Sequence, residues 1–135
     1  MNTKEYLSQA WYLDKRIKTK EKQLDWLKTH APYVSPNLAE AAKKEVSIRS
    51  SVEEAVVRIT ELEDDIAKAI TEMIALKREI TMAIRSVNSI ECETLLEMRY
   101  LTFLSWSQIA AELNYSKDYV YHLHRKALGL VKHQG

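Results

Sequence analysis

The chain has 135 residues, with 20 Lys plus Arg against 19 Asp plus Glu, so a net charge of +1 excludes attachment to nucleic acid by bulk attraction alone. Two Gly, two Pro and 46% apolar residues exclude a turn-rich β fold and a chain too polar to build a core, and they point to one helical domain or two small ones. One cysteine, Cys92, excludes an internal disulfide, and no apolar run approaches the roughly 18 residues of a membrane span. A reduced, cytoplasmic setting with no membrane partner is expected.

The first element expected is a helix from about Thr3 to Thr29. Tyr6, Ala10, Leu13, Ile17, Lys20, Leu24 and Leu27 recur at spacings of 3 and 4, and Lys20 is the one polar interruption. His30 to Asn37 contains Ala31-Pro32 and Ser35-Pro36. A residue before proline is pushed out of helical geometry, so the helix ends there in a loop or hinge.

A second, longer helix follows. Ile48, Val52, Ala55, Ile59, Leu62, Ile66, Ala69, Met73, Leu76, Ile80, Ala83, Val87 and Ile90 keep a period of 3.5, which returns each to the same face every two turns. Val56, Ile70 and Ile84 widen that stripe. The start is read in two ways: near Ser50 or Ser51, which form capping boxes with Glu53 and Glu54, or at Asn37 with Glu40. The two helices form an antiparallel, coiled-coil-like hairpin over residues 1–88. Its longer arm has surplus apolar seam, for which a second copy is the simplest cover, giving a homodimer or higher homo-oligomer. The oligomerisation residues are then Ile59, Leu62, Ile66, Ile70, Met73, Leu76, Ile80 and Ile84. Among the acidic residues of this helix, Glu61, Glu63, Asp64 and Asp65 read as a solvated face with an Asp64–Lys68 pair.

After Asn88 and Ser89 the pattern changes to three short helices: about Glu91 to Leu104, Trp106 to Leu113, and Ser116 to about Val131. Residues 89–135 are read as a helix-turn-helix domain, which makes the whole chain all-α. Ile109, Ala110, Leu113, Val120 and Leu123 hold its buried positions, and small Ala110 stands where the two helices cross. Asn114 takes the turn position, as the residue after Gly best able to adopt the left-handed conformation, and Ser116 caps the next helix.

On the last helix Val120, Leu123 and Ala127 turn inward, which leaves Lys117, Asp118, Tyr121, His122 and Arg125 as candidate readers of a major groove. Ser105, Ser107 and Ser116 lie near helix starts, where phosphate contacts occur, and Lys126, Lys132 and His133 add charge. Residues 117–135 carry four bases against one acid, which makes this end the basic one.

The stretch RYLTFLSWSQIAAELNYSKDYVYHLHRKAL resembles region four of bacterial sigma factors, including the closing run Lys126, Ala127, Leu128. With EYLSQAWYLDKRI and ELEDDIAKAITEMIALKREITMAI before it, nearly the whole chain is similar to the phage late transcriptional regulators of the ArpU and RinA type. The resemblance implies an activator in a bacterial host cell that binds promoter DNA and turns on packaging, morphogenesis and lysis genes with host RNA polymerase. It also implies that Lys117, Asp118, Tyr121, His122 and Arg125 read the DNA.

Other chemistry finds less footing. His122 and His124 face different directions, both glycines lie at the C-terminal end, and Cys92 has no basic neighbour in sequence. No metal, cofactor or enzymatic activity is expected. Trp11, Trp26 and Trp106 read as packing residues. The competing readings are a protein-binding adaptor on RNA polymerase, separated by pull-down, and a small terminase-like packaging subunit, which would form a ring. A twofold dimer would favour an inverted repeat with half-sites about 34 Å apart.

Overall fold

A computed structural model describes residues 1–30 and 41–132. It is all-helical, with five helices in chain order: α1 (Thr3–His30), α2 (Ala41–Arg85), α3 (Ile90–Tyr100), α4 (Trp106–Leu113) and α5 (Lys117–Leu130). The proline-bearing segment expected as a loop lies almost wholly outside the described residues. The fold is divided into two compact units: Met1–Asp14 with the described part of Glu72–Gly135, and Lys15–Thr71. The 88/89 boundary expected from sequence falls within the first unit, beside the Asn88 turn.

Asn2 starts α1. Its Oδ1 accepts from the Glu5 backbone N–H at 2.8 Å, while the Glu5 carboxylate accepts from the Asn2 backbone N–H at 3.3 Å, so a reciprocal cap covers two otherwise orphan donors. The helix α2 is 45 residues long and passes through Ser50 and Ser51 without a break. A start at those serines is therefore corrected. Ala41-Ala42-Lys43-Lys44-Glu45 upstream are strong helix formers, so the hydrogen-bond ladder continues and leaves nothing there to cap. A start at Asn37 lies outside the described residues.

Within Lys15–Thr71 the two helices run antiparallel: Lys20 pairs with Asp65 at 3.6 Å, Arg58 donates to Gln23 Oε1 at 3.5 Å, and Lys28 reaches Glu63 at 4.0 Å. Ile17, Leu62 and Ala69 are buried, and Leu24, Leu27, Ala55, Ile59 and Ile66 are half-buried. Lys20, the polar break in the first seam, bends its ammonium to a carboxylate while its stem stays at the packed face. The expected Asp64–Lys68 pair forms at 3.0 Å.

In the other unit Leu7, Ala10, Met73, Ile80, Ala83, Ile84 and Val87 are buried, as are Cys92, Leu95, Leu96, Tyr100, Ile109, Ala110, Val120, Leu123 and Ala127. The seam ends at Val87, because Asn88 takes a left-handed φ of 56° and Ser89 caps a new helix, which leaves Ile90 at 83% exposure. The chain end is tied back by the Lys132 backbone N–H, which donates to Ser86 Oγ at 2.9 Å.

Candidate nucleic-acid interface

Helices α3, α4 and α5 pack pairwise against one another. The first ends at Tyr100, four residues before the expected Leu104. Phe103 enters the left-handed region at φ 61°, the Leu104 N–H bonds the Met98 carbonyl at 2.9 Å, and Arg99 Nη1 donates to the Leu104 carbonyl at 3.0 Å. That connection sets the angle at which α4 begins.

Ser105 then caps α4 by a full capping box: its Oγ accepts from the Gln108 N–H at 3.1 Å and Gln108 Oε1 accepts from the Ser105 N–H at 2.8 Å. The helix ends at Asn114, left-handed at φ 58° and ψ 41° as expected for the turn. The Tyr115 N–H reaches the Ala110 carbonyl at 3.0 Å and the Asn114 N–H approaches the Ala111 carbonyl at 3.4 Å, the bond pattern of a Schellman end. Two residues on, Ser116 Oγ accepts from the Tyr119 N–H at 3.1 Å and opens α5. Local chemistry thus fixes both ends of the turn between α4 and α5.

On α5 the expected division of faces is present. Val120, Leu123 and Ala127 are buried, together with Ile109 and Ala110 of α4, while Leu113 is half-buried. Lys117, Asp118, Tyr121, His122, Arg125 and Lys126 are exposed, as are Ser105, Ser107 and Ser116. At 100° per residue Asp118, Tyr121, His122 and Arg125 fall within an arc of about 100°, with Lys117 and Lys126 flanking it on opposite sides. Among the described residues no carboxylate lies within ion-pair distance of Lys117, Arg125 or Lys126. The two serine caps have already committed an oxygen lone pair to a backbone N–H, so toward a phosphate each has its hydroxyl proton to give. His133 lies outside the described residues.

Three residues not assigned a functional part in the sequence lie together at the packed side of α5. His124 is buried at 7% exposure, and its Nε2 is hydrogen-bonded to the Tyr100 hydroxyl at 2.6 Å. Burial first, then the charges of Lys4, Arg99 and Arg125, lower the His124 pKa to about 4, and burial pushes the Tyr100 phenol up to about 12. A neutral imidazole hydrogen-bonded to a neutral phenol fits both shifts. Trp106 lies edge-on to His124 at 4.6 Å and to Tyr121 at 5.5 Å, and the Arg99 guanidinium sits 4.3 Å from its ring centroid. Trp106 is thus a packing residue, as expected. Trp11 and Trp26 are not: they are 42% and 59% exposed, since they stand off the Leu7, Ala10, Ile17 face of α1. The signal for His124 was its place beside Leu123 on the inward side of the helix.

At the far side of α5, Tyr119 donates to the Glu91 carboxylate at 2.8 Å, and that bond holds its phenol above the usual range. Tyr115 packs edge-on against it at 4.7 Å. Among the described residues no helix is long and apolar enough to cross a membrane.

The residues expected to oligomerise are largely covered by their own chain. Leu62, Met73, Ile80 and Ile84 are buried and Ile59, Ile66 and Leu76 half-buried, while Ile70 is 44% exposed. Exposed apolar side chains on α2 also include Val52, Val56, Val57, Ile74 and Met82.

A family model described as "Protein of unknown function (DUF1492)" matches residues 34–131, which takes in α2 to α5. No curated protein and no solved structure matches the chain.

Proposed function

This chain belongs to the DUF1492 family, and from its own residues we propose that it is a sequence-specific regulator of transcription that binds double-stranded DNA in a promoter region. The observation that carries the reading is the face of α5. An N-capped helix, set on a left-handed turn and packed against two others, leaves Asp118, Tyr121, His122 and Arg125 exposed on one side with Lys117 at its edge. In this reading α5 enters the major groove. Arg125 pairs with guanine or a phosphate, Tyr121 and His122 touch bases or backbone, and Lys117 meets phosphate near the helix start. Asp118 complements the positive end of the helix.

The resemblance to ArpU and RinA type regulators supports activation of phage late genes together with host RNA polymerase. A homodimer supplies a second reading helix, and the exposed stripe through Val52, Val56, Ile70 and Ile74 offers α2 a face for a second copy. The test is selection of bound fragments from the source genome by purified protein at moderate salt, with an Arg125→Ala, His122→Ala double variant in parallel. Recovery of a promoter-proximal site by the native chain, lost in the folded double variant, is the expected result. Recovery of no selected sequence overturns the reading, and capture of RNA polymerase in the same preparation would move the role to an adaptor on that enzyme.

A further inference from the structure

Between α1 and α3 lies a cavity of about 210 Å³ lined by Lys4, Ser8, Trp11, Tyr12, Arg99 and Tyr100. Two of these six are cations, three are aromatic, and none is acidic. Among the described residues no carboxylate stands within ion-pair distance of Lys4 or Arg99, so their charge is unspent. Arg99 is held in place: one of its five N–H donors goes to the Leu104 carbonyl, and its guanidinium rests on Trp106. Ser8 Oγ donates to the Lys4 carbonyl, which keeps that hydroxyl close to the first turn of α1. Trp11 and Tyr12 meet at right angles with centroids 5.0 Å apart, and both are substantially exposed. Such a pair presents ring surface to a planar occupant.

We propose that this cavity binds a small molecule carrying an anionic group on an aromatic ring, with the anion held by Lys4 and Arg99 and the ring laid against Trp11 and Tyr12. An apolar cavity of about 150 Å³ accommodates benzene, so this volume admits one ring and its charged substituent, below the roughly 300 Å³ at which pockets for larger ligands begin. The charges of the two cations also reach His124 directly, and Tyr100, which lines the cavity, is hydrogen-bonded to that imidazole of α5. An occupant that neutralises Lys4 and Arg99 therefore changes the electrostatic setting of a residue next to Arg125.

The experiment is a titration of the isotope-labelled full chain, followed by nuclear magnetic resonance, with phenyl phosphate as the probe. Inorganic phosphate and benzyl alcohol supply the charge without the ring and the ring without the charge. Saturable shifts of the Trp11 indole N–H and the His124 ring are expected, with a dissociation constant on the order of 1 mM for a ligand of this size. Lys4→Gln weakens binding about tenfold, as the loss of one charge-assisted contact should. Tyr12→Ala weakens it as well, and this exposed position gives a second folded variant. Absence of saturable shifts, equal binding of either control compound, or unchanged affinity in folded Lys4→Gln each overturns the proposal. Binding is read without DNA, so its failure is distinct from failure of the regulator reading.

Discussion

The Tyr100 hydroxyl and Nε2 of His124 share a hydrogen bond of 2.6 Å in the interior of the three-helix domain, joining the last turn of α3 to the middle of α5. This is the buried polar link behind the proposed reading face. Burial disfavours the charged ring, so this interior favours the neutral imidazole.

Acid stability follows from that link. The folded-state pKa of His124, about 4, lies below its unfolded value of about 6.5. Its contribution is therefore fully present above the unfolded value and is lost as pH falls from about 6.5 through 4. Thermal melts across this window should show falling Tm in the native chain. The profile of a folded His124→Gln variant, which has no imidazole to protonate, should be flatter, and identical profiles would contradict the assignment.

The turn before α5 gives a second expectation. Asn114 is left-handed, so Asn114→Gly should change stability by less than about 1 kcal/mol, whereas Asn114→Val, β-branched in the same region, should cost about 1–2 kcal/mol. Urea unfolding of the two variants measures both.

Among the described residues of Lys15–Thr71 few side chains are buried. Leu62→Ala removes a fully buried one and should cost about 2–5 kcal/mol, while Asp65→Asn, at a half-exposed ion pair, should cost less than about 1 kcal/mol. Hydrogen exchange should show the loss for Leu62→Ala concentrated in Lys15–Thr71.

If α5 reads a major groove, its charges divide by role. Arg125→Ala should cost about 1–3 kcal/mol at a preferred site and relax sequence preference. Lys117→Ala should weaken binding to all sequences alike and lower the salt slope by about 1. Competition binding at several salt concentrations distinguishes the two patterns.

Association of chains should depend on the open stripe of α2. Ile70→Lys with Ile74→Lys places charge on exposed positions and should reduce a dimer to monomer with little loss of fold, as read by sedimentation. A dimer that survives the pair would place its interface elsewhere.

Much of this was legible in the residues. The 3.5 period over Ile59 to Val87, Asn114, Ser116 and the inward positions of α5 are local or periodic features. A cap or a left-handed turn is chosen by a few neighbouring side chains, and a helical face is chosen by spacing. Of the two starts read for α2, the one at Ser50 or Ser51 is misplaced, since Ser51 and Glu54 form a box pattern only where the chain upstream stops being helical. The same reasoning carried the seam to Ile90, past the turn at Asn88 that breaks its phase.

The sequence by itself determined the helical class, the order of the elements, the turn between α4 and α5, and which side of α5 faces outward. The tertiary structure alone decided that the Ile59–Ile84 seam is largely covered within one chain, that Lys20 finds Asp65, and that His124 is buried against Tyr100. It also brought Lys4 and Arg99, 95 positions apart in the chain, to one cavity. The first set depends on contacts within a few residues along a helix, which spacing encodes. The second depends on which distant surfaces meet, and many pairings of apolar faces satisfy the same periodicity until packing, charge and hydrogen-bond satisfaction select one of them.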